Sequence, residues 1–408
     1  MLGTVRVTLP ESRRMLALYV ATGAAMAALA ARGLTVPLYA HDLGASRFEI
    51  GALFSVSTLA AALLSLPSGI VVDRFGARAV LGISFLLSAG AQLATAATPS
   101  VAPLFIWQVL GGLAGGAQQA ALFSAVTEST SSRHLGRAMG WLTFSMQAGF
   151  FLGPSIAGIA LRWIDVRTDI AVTTALLLFT IPGAIVASGT RQHTGQGLAL
   201  RAPLQALTRQ RAFAPLTIGL IAMTLGWGTV AAFLPVFGKE VLRLPSSQVG
   251  YLLAIMAVVN GISRLPGGRL VDRIPHRWPI VFTGVIVWSA AIAVLGHLTG
   301  FLWPAIVLVV ATPFIATSFV AVGVVFANLS VSSTRGVTMG VYGTILFVGL
   351  SLGPLAFGPV VQGFGYTAGF TACAAVASLL ALVMAVFHSE PVRRRSALPV
   401  PPPTPPGA

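Results

Sequence analysis

Charge is scarce in this chain. Only 9% of its 408 residues are Asp, Glu, Lys or Arg, while 56% are hydrophobic. A soluble domain carries about 25% charged residues, so this chain cannot cover a water-facing surface and must turn most of it to lipid. Cysteine is nearly absent. Cys373 stands alone in an apolar segment, which excludes a disulfide framework and a cysteine-based metal site. There is no Walker loop, no His-rich metal set and no Ser-His-Asp grouping within the apolar segments. An enzyme is therefore not expected, nor a catalytic residue, a metal or a cofactor. The net charge of +15 does not indicate nucleic acid, because the basic residues lie in short loops, where they meet anionic lipid.

Acidic residues are also few. The ten are Glu11, Asp42, Glu49, Asp73, Glu128, Asp165, Asp169, Glu240, Asp272 and Glu390. None falls in the middle of an apolar segment. A membrane-buried carboxylate, the usual proton-carrying group of transporters, is missing unless Asp42 or Glu49 dips inward. His41 is the other titratable group near that edge, and a lone histidine at a loop edge is more often simply solvated.

What is present is length. Twelve apolar runs, at about 15–40, 48–72, 79–99, 102–127, 137–161, 168–189, 212–237, 247–271, 278–299, 302–329, 336–361 and 366–388, approach or exceed the ~20 residues a spanning helix needs. They are continuous and do not alternate with period two, so a β-barrel is not expected. The first run is too long for a signal-peptide core and reads as a retained span. With the N-terminus inside, eighteen of the 25 basic residues fall on the inner side and five on the outer. That bias places both termini in the cytoplasm of a multi-pass cytoplasmic-membrane protein.

The chain repeats itself. "PSGIVVDRFGAR" (67–78) returns as "PGGRLVDRIPHR" (266–277). A shift of 199 aligns Gly51 with Gly250, Pro67 with Pro266, Asp73 with Asp272, Arg74 with Arg273 and Arg78 with Arg277. A shift of 200 aligns Gly140, Gly149, Gly153, Pro154 and Gly158 with Gly340, Gly349, Gly353, Pro354 and Gly358. The expected organisation is an all-α membrane protein of two related six-helix bundles, 1–189 and 212–390. A polar cytoplasmic linker (190–211) joins them, and a disordered Pro-rich tail (391–408) follows.

Parallel six-span repeats with both ends inside are the architecture of the major facilitator superfamily. "GIVVDRFGARAV" (69–80) resembles that superfamily's signature loop between spans two and three, and "GGRLVDRIPHR" (267–277) resembles its weaker copy. The resemblance implies a gating role. Asp73 would sit against the positive N-terminus of span eleven, and Asp272 against that of span five. Arg74 and Arg78 would pair with carboxylates nearby, Glu128 being the acidic candidate, and Arg273 and Arg277 repeat the set. Ile274-Pro275 replaces Phe75-Gly76 in the second copy, so its latch is expected to be weaker.

Gly149, Gly153 and Ala157 recur every four residues in span five, a small-residue stripe that lets helices approach closely. Pro154 removes a backbone donor there and should bend the span. The spacing through Gly158 is similar to the motif of the drug/proton antiporters, the superfamily's exporters. Span eleven shares the spacing, so duplication explains part of it. That group usually has an arginine in span four, linked to proton coupling, where this chain has Gln108.

Two cations lie within spans, Arg32 and Arg264. Each is eight residues from a span end, roughly 12 Å deep, near the midplane where superfamily substrates bind. Gln118, Gln119, Gln147, Asn260, Thr317 and Ser318 fall at similar depth and complete the expected substrate-binding set. Helix–helix hydrogen bonding among them is the plainer alternative. Two functions remain open. One is ion-coupled export of a small organic molecule, driven by protons or another ion. The other is exchange or symport of small anions or organic acids on Arg32 and Arg264. Either would work as a monomer among membrane lipids.

The signature loop makes a prediction. Asp73→Asn should weaken inner-side closure by ~0.3–1 kcal/mol, and up to ~2 if the group is partly buried, and Asp272→Asn should do less. Cysteine labelling should then find the cavity more accessible from the cytoplasm in the Asp73 variant. Equal labelling would remove the latch.

Overall fold

The computed structural model describes residues 13–130, 135–187, 201–329 and 335–387. Thirteen helices and no strand occur among them. The first half contains α1 (Arg13–Asp42), α2 (Arg47–Ser65), α3 (Ser68–Phe75), α4 (Ala77–Ala97), α5 (Val101–Ser129), α6 (Leu135–Ala160) and α7 (Val166–Ala187). A short α8 (Arg201–Thr208) lies in the linker. The second half contains α9 (Phe213–Glu240), α10 (Ser246–Arg273), α11 (Trp278–Leu295), α12 (Leu302–Asn328) and α13 (Arg335–Phe387). Within α13, Gly365 has φ 86° and ψ 172°, so the helix is two spans joined at a kink. Ten helices are long and apolar enough to cross a membrane. Counting α13 twice and adding α7 gives twelve spans.

Span two differs from the continuous run expected. It stops at Ser65 and resumes as α3 after Pro67, whose ring removes a backbone donor. Gly76, at φ 81°, then turns the chain into α4. In the second copy Pro266 lies inside the continuous α10, which ends on an extended Ile274. The two loops therefore have different backbones, as the loss of glycine requires. Asp73 and Glu128 lie on α3 and α5, but their side chains fall outside the described residues, as does the tail 391–408.

The small-residue stripe sets the packing inside each half. A side chain at Gly149 or Gly153 would collide with the backbone of α1, at the Gly23 and Ala27 carbonyls. At Gly349 and Gly353 it would collide with α9, at Thr224 and the Leu225 carbonyl. So α6 rests on α1 as α13 rests on α9. The next glycine of each stripe points the other way, across the boundary between halves. Gly158 abuts Ser246 and Gly250 of α10, and Gly358 abuts Phe48 of α2.

The faces of the molecule can be named from the chain. α1 begins and α13 ends on the terminal face, and the opposite face is distal. Contacts between the halves concentrate toward the distal face, through α2 with α13 and α6 with α10. The α2–α13 seam also continues to the terminal side, where Gly340 meets Leu66 and Gly343 meets Ser65. Leu204 and Leu207 of α8 join Leu66, Leu329 and Val341 there, and the Gln210 side chain donates to the Leu329 carbonyl at 2.8 Å.

Gly153 tests the packing. A Cβ there would come within 2.2 Å of the Ala27 carbonyl oxygen, so α1 and α6 must separate to admit Leu. Gly153→Leu should lose about 1–3 kcal/mol or more by overpacking, leave the protein membrane-inserted, and abolish transport. Thermal melting in detergent with a transport assay checks this. A wild-type melting point would place the stripe against lipid.

Candidate functional site

The two intramembrane arginines occupy unlike surroundings. Arg32 is 6% exposed. Its guanidinium lies against Gly111 of α5, where any side chain would collide with it. It donates to the Gln108 side-chain oxygen at 2.9 Å. The Arg32 Nε and the Gln108 Nε2 are buried without a hydrogen-bond partner among the described residues, and no carboxylate there pairs with Arg32. Arg32 thus lies in an α1–α5 interface.

Arg264 is exposed. Its Nε donates to the Asn260 side-chain oxygen at 3.1 Å, one helical turn away, and Asn260 itself is 6% exposed. Tyr342 of α13 lies within electrostatic reach of the guanidinium. Gln147 of α6 reaches across the halves to Gly261 of α10, beside Asn260. The structure therefore brings Arg264, Asn260 and Gln147 to one place where α6 and α10 face each other.

The remaining polar set divides. Gln119 is exposed and shares a helical face with Gln108, Gly111 and Gly115. Gln118 is buried and donates to the Ser84 carbonyl of α4 at 3.2 Å. Ser318, fully buried, donates to the Ile280 carbonyl of α11 at 2.8 Å. Thr317 bonds the Pro313 carbonyl and packs on Gly267. Gln118, Thr317 and Ser318 thus serve helix contacts, because a hydroxyl or amide inside a bundle takes the nearest carbonyl.

Of the expected gating residues, Arg74, Arg78, Asp272 and Arg273 are exposed and Arg277 is half-buried. Arg74 lies over the Phe75 ring, 5.5 Å from its centroid. The ion pairs between halves, among the described residues, lie instead at the distal face. Arg47 of α2 holds Glu240 of α9 with nitrogen–oxygen distances of 2.7 and 3.0 Å. His41 of α1 approaches the other oxygen of Glu240 at 3.1 Å. The Arg47 amide donates to the Gln362 side chain of α13 at 2.9 Å, and its guanidinium lies over the Tyr366 ring at 4.9 Å. Sequence reading missed this cluster, because its members come from four separate helices.

One acid is also more buried than the span map suggested. Asp169, in the first turn of α7, is 2% exposed. Its Oδ2 has no hydrogen-bond partner among the described residues.

Twelve spans in two equivalent bundles, with polar groups where the bundles meet, form the architecture of a membrane transporter. The chain belongs to the Major Facilitator Superfamily, whose profile matches residues 18–328 and 246–406. Its relatives are membrane transporters and not enzymes. An uncharacterised MFS-type transporter of Methanocaldococcus jannaschii is 20% identical over 337 residues, 79% of this chain and 84% of the relative. A probable 4-methylmuconolactone transporter of Cupriavidus pinatubonensis is 23% identical over 65% of this chain and 67% of its own. The quinolone resistance protein NorA of Staphylococcus aureus is 22% identical over 48% of this chain and 50% of its own. The fold is shared with the nucleoside transporter NupG, at TM-score 0.73 and 17% identity over 92% of this chain and 99% of that one. It is also shared with a bacterial homologue of the lysosomal transporter Spinster, at TM-score 0.72 and 15% identity over 91% and 95%.

The Arg32–Gln108 contact is open to a double-mutant cycle. Gln108→Leu removes the acceptor of a buried charged donor, which should cost about 1.5–3 kcal/mol. Arg32→Met with Gln108→Leu should recover most of that loss, because two apolar side chains replace the pair. Denaturation in detergent measures the wild type, Arg32→Met, Gln108→Leu and the double variant. Additive losses would show that the two side chains do not interact.

Proposed function

We propose that the protein is a secondary active transporter that moves a small organic molecule across the cytoplasmic membrane by alternating access, as an ion-coupled exporter. The terminal face is cytoplasmic in this reading, supported by the positive-inside bias of the loops. The observation that carries the substrate assignment is Arg264. It is an exposed intramembrane cation, oriented by Asn260, with no carboxylate paired to it among the described residues. An arginine at such depth needs water, carbonyls or an anion. The transported molecule therefore carries an acceptor group, a carboxylate, phosphate or carbonyl, that meets Arg264, with Gln147 across the boundary and Gln119 on the other half as further polar contacts. The gating role of the signature loops belongs to the state in which the terminal side closes.

Export is supported by the span-five spacing and by the similarity to NorA over half of that protein. A second reading, carriage of small anions, draws support from Arg32, a buried cation without an acidic partner among the described residues.

Transport by purified protein in liposomes, under imposed pH gradients and against anionic and cationic substrate panels, separates the two. Export predicts uptake into inside-acidic vesicles by outward-oriented protein. Arg264→Ala should lower transport about ten- to hundredfold, the worth of a hydrogen bond to a charged group. Arg264→Lys keeps the charge but loses the planar fork. It should fail nearly as badly if the contact is bidentate, and retain activity if only positive potential matters. Full activity in Arg264→Ala would end any substrate role.

A further inference from the structure

We infer that His41 and Glu240 form a proton-binding site on the distal face that holds the two halves together there, so that acidity biases the transporter toward its distal-closed state. The inference rests on the alternating-access reading and adds a control on it.

The geometry is specific. Glu240, at the C-terminal end of α9, offers one oxygen to Arg47 and the other to His41. Both bases belong to the first half and the acid to the second. The groups that face them are Asp42, whose carboxylate lies 3.7 Å from the His41 Nδ1, and Tyr366, whose ring lies under Arg47 and whose hydroxyl has no hydrogen-bond partner among the described residues. Glu49 is turned away, because it closes the capping box of α2 with Ser46.

Counting charge shows what a proton does. With His41 neutral, Arg47 stands against Glu240 and Asp42, one positive charge against two negative. With His41 protonated the four groups balance. The His41–Glu240 contact crosses the halves, so it exists only while the distal side is closed. A proton is then bound more tightly in that state than in the one where the halves part, and by linkage it favours closure. Histidine is the side chain that changes charge across the physiological range, which places the effect where an environment's acidity varies. The His41 and Glu240 side chains are 37% and 22% exposed, so solvent screens the pair. The expected effect is a two- to fivefold change in the closed-to-open ratio, about that of a partly exposed ion pair.

The test measures conformation and not transport. Labels at Ala102 and Thr299, exposed distal positions on opposite halves, in a Cys373→Ser background, report the distal separation by electron–electron resonance in lipid nanodiscs. Raising the pH from about 5.5 to about 8 should shift two- to fivefold of the closed-to-open ratio toward the wider separation. His41→Gln should remove the pH response while keeping a hydrogen-bond donor. Glu240→Gln should widen the separation at every pH and also abolish the response. Arg47→Gln should widen it at every pH but keep the response, because His41 and Glu240 remain. An unchanged pH response in His41→Gln overturns the inference, as does a closed fraction unaffected by Glu240→Gln. Two separations insensitive to pH in the wild type overturn the latch alone. A single separation under all conditions overturns the latch and alternating access together.

Discussion

The structure depends on two places where a glycine of one half receives a carbonyl of the other. Gly51 of α2 lies under the Pro354 carbonyl of α13, and Gly250 of α10 lies under the Pro154 carbonyl of α6; a Cβ would come within 3.0 and 2.4 Å of those oxygens. Gly51 and Gly250 are equivalent by the repeat, and so are Pro154 and Pro354. Small residues let helix backbones meet. Duplication therefore copied both sides of the crossing, and the two halves join through a reciprocal contact made twice. Around it each half packs in the same way, α6 on α1 and α13 on α9, so the same stripe of glycines builds the bundle and then the boundary.

Charge is spent unevenly around this frame. The distal face carries Arg47, His41 and Glu240 in one cluster that crosses the halves. Deeper, Arg32 is packed against Gly111 and Gln108 within the first half, while Arg264 is exposed beside Asn260 in the second. The bundles are equivalent in backbone and unlike in polarity. Of the two intramembrane guanidiniums, the one on the second half is exposed and the one on the first half is engaged with Gln108.

The sequence made the frame legible because its signals are long or repeated. Apolar runs fix the spans, and matched Gly, Pro, Asp and Arg fix the halves. Local spacing also worked for Asn260 and Arg264, four residues apart on one helix. Contacts between distant residues were not legible. Arg32 and Gln108 are separated by 76 positions, and nothing in either segment announces the other. The distal cluster draws on α1, α2, α9 and α13 for the same reason. Gln118, Thr317 and Ser318 were assigned by depth, but depth does not say which way a side chain points, and the structure turns them toward α4, α10 and α11. Nor was it legible that Pro67 interrupts a helix where its counterpart Pro266 does not.

The seam between α2 and α13 differs from its counterpart at the terminal side. Gly340 is covered by Leu66, whereas its repeat partner Gly140 has nothing within 4 Å of a side-chain position. The α2–α13 seam therefore stays closed at the terminal side, while the α6–α10 seam, tight at Gly158 and Gly250, leaves Gly140 open there. Two seams of unequal length give the terminal opening the shape of a wedge, with its wider side beside Gly140 of α6. Gln147 of α6 and Asn260 and Arg264 of α10 therefore stand along the seam that closes only part of the way, between its tight end at Gly250 and its open end at Gly140.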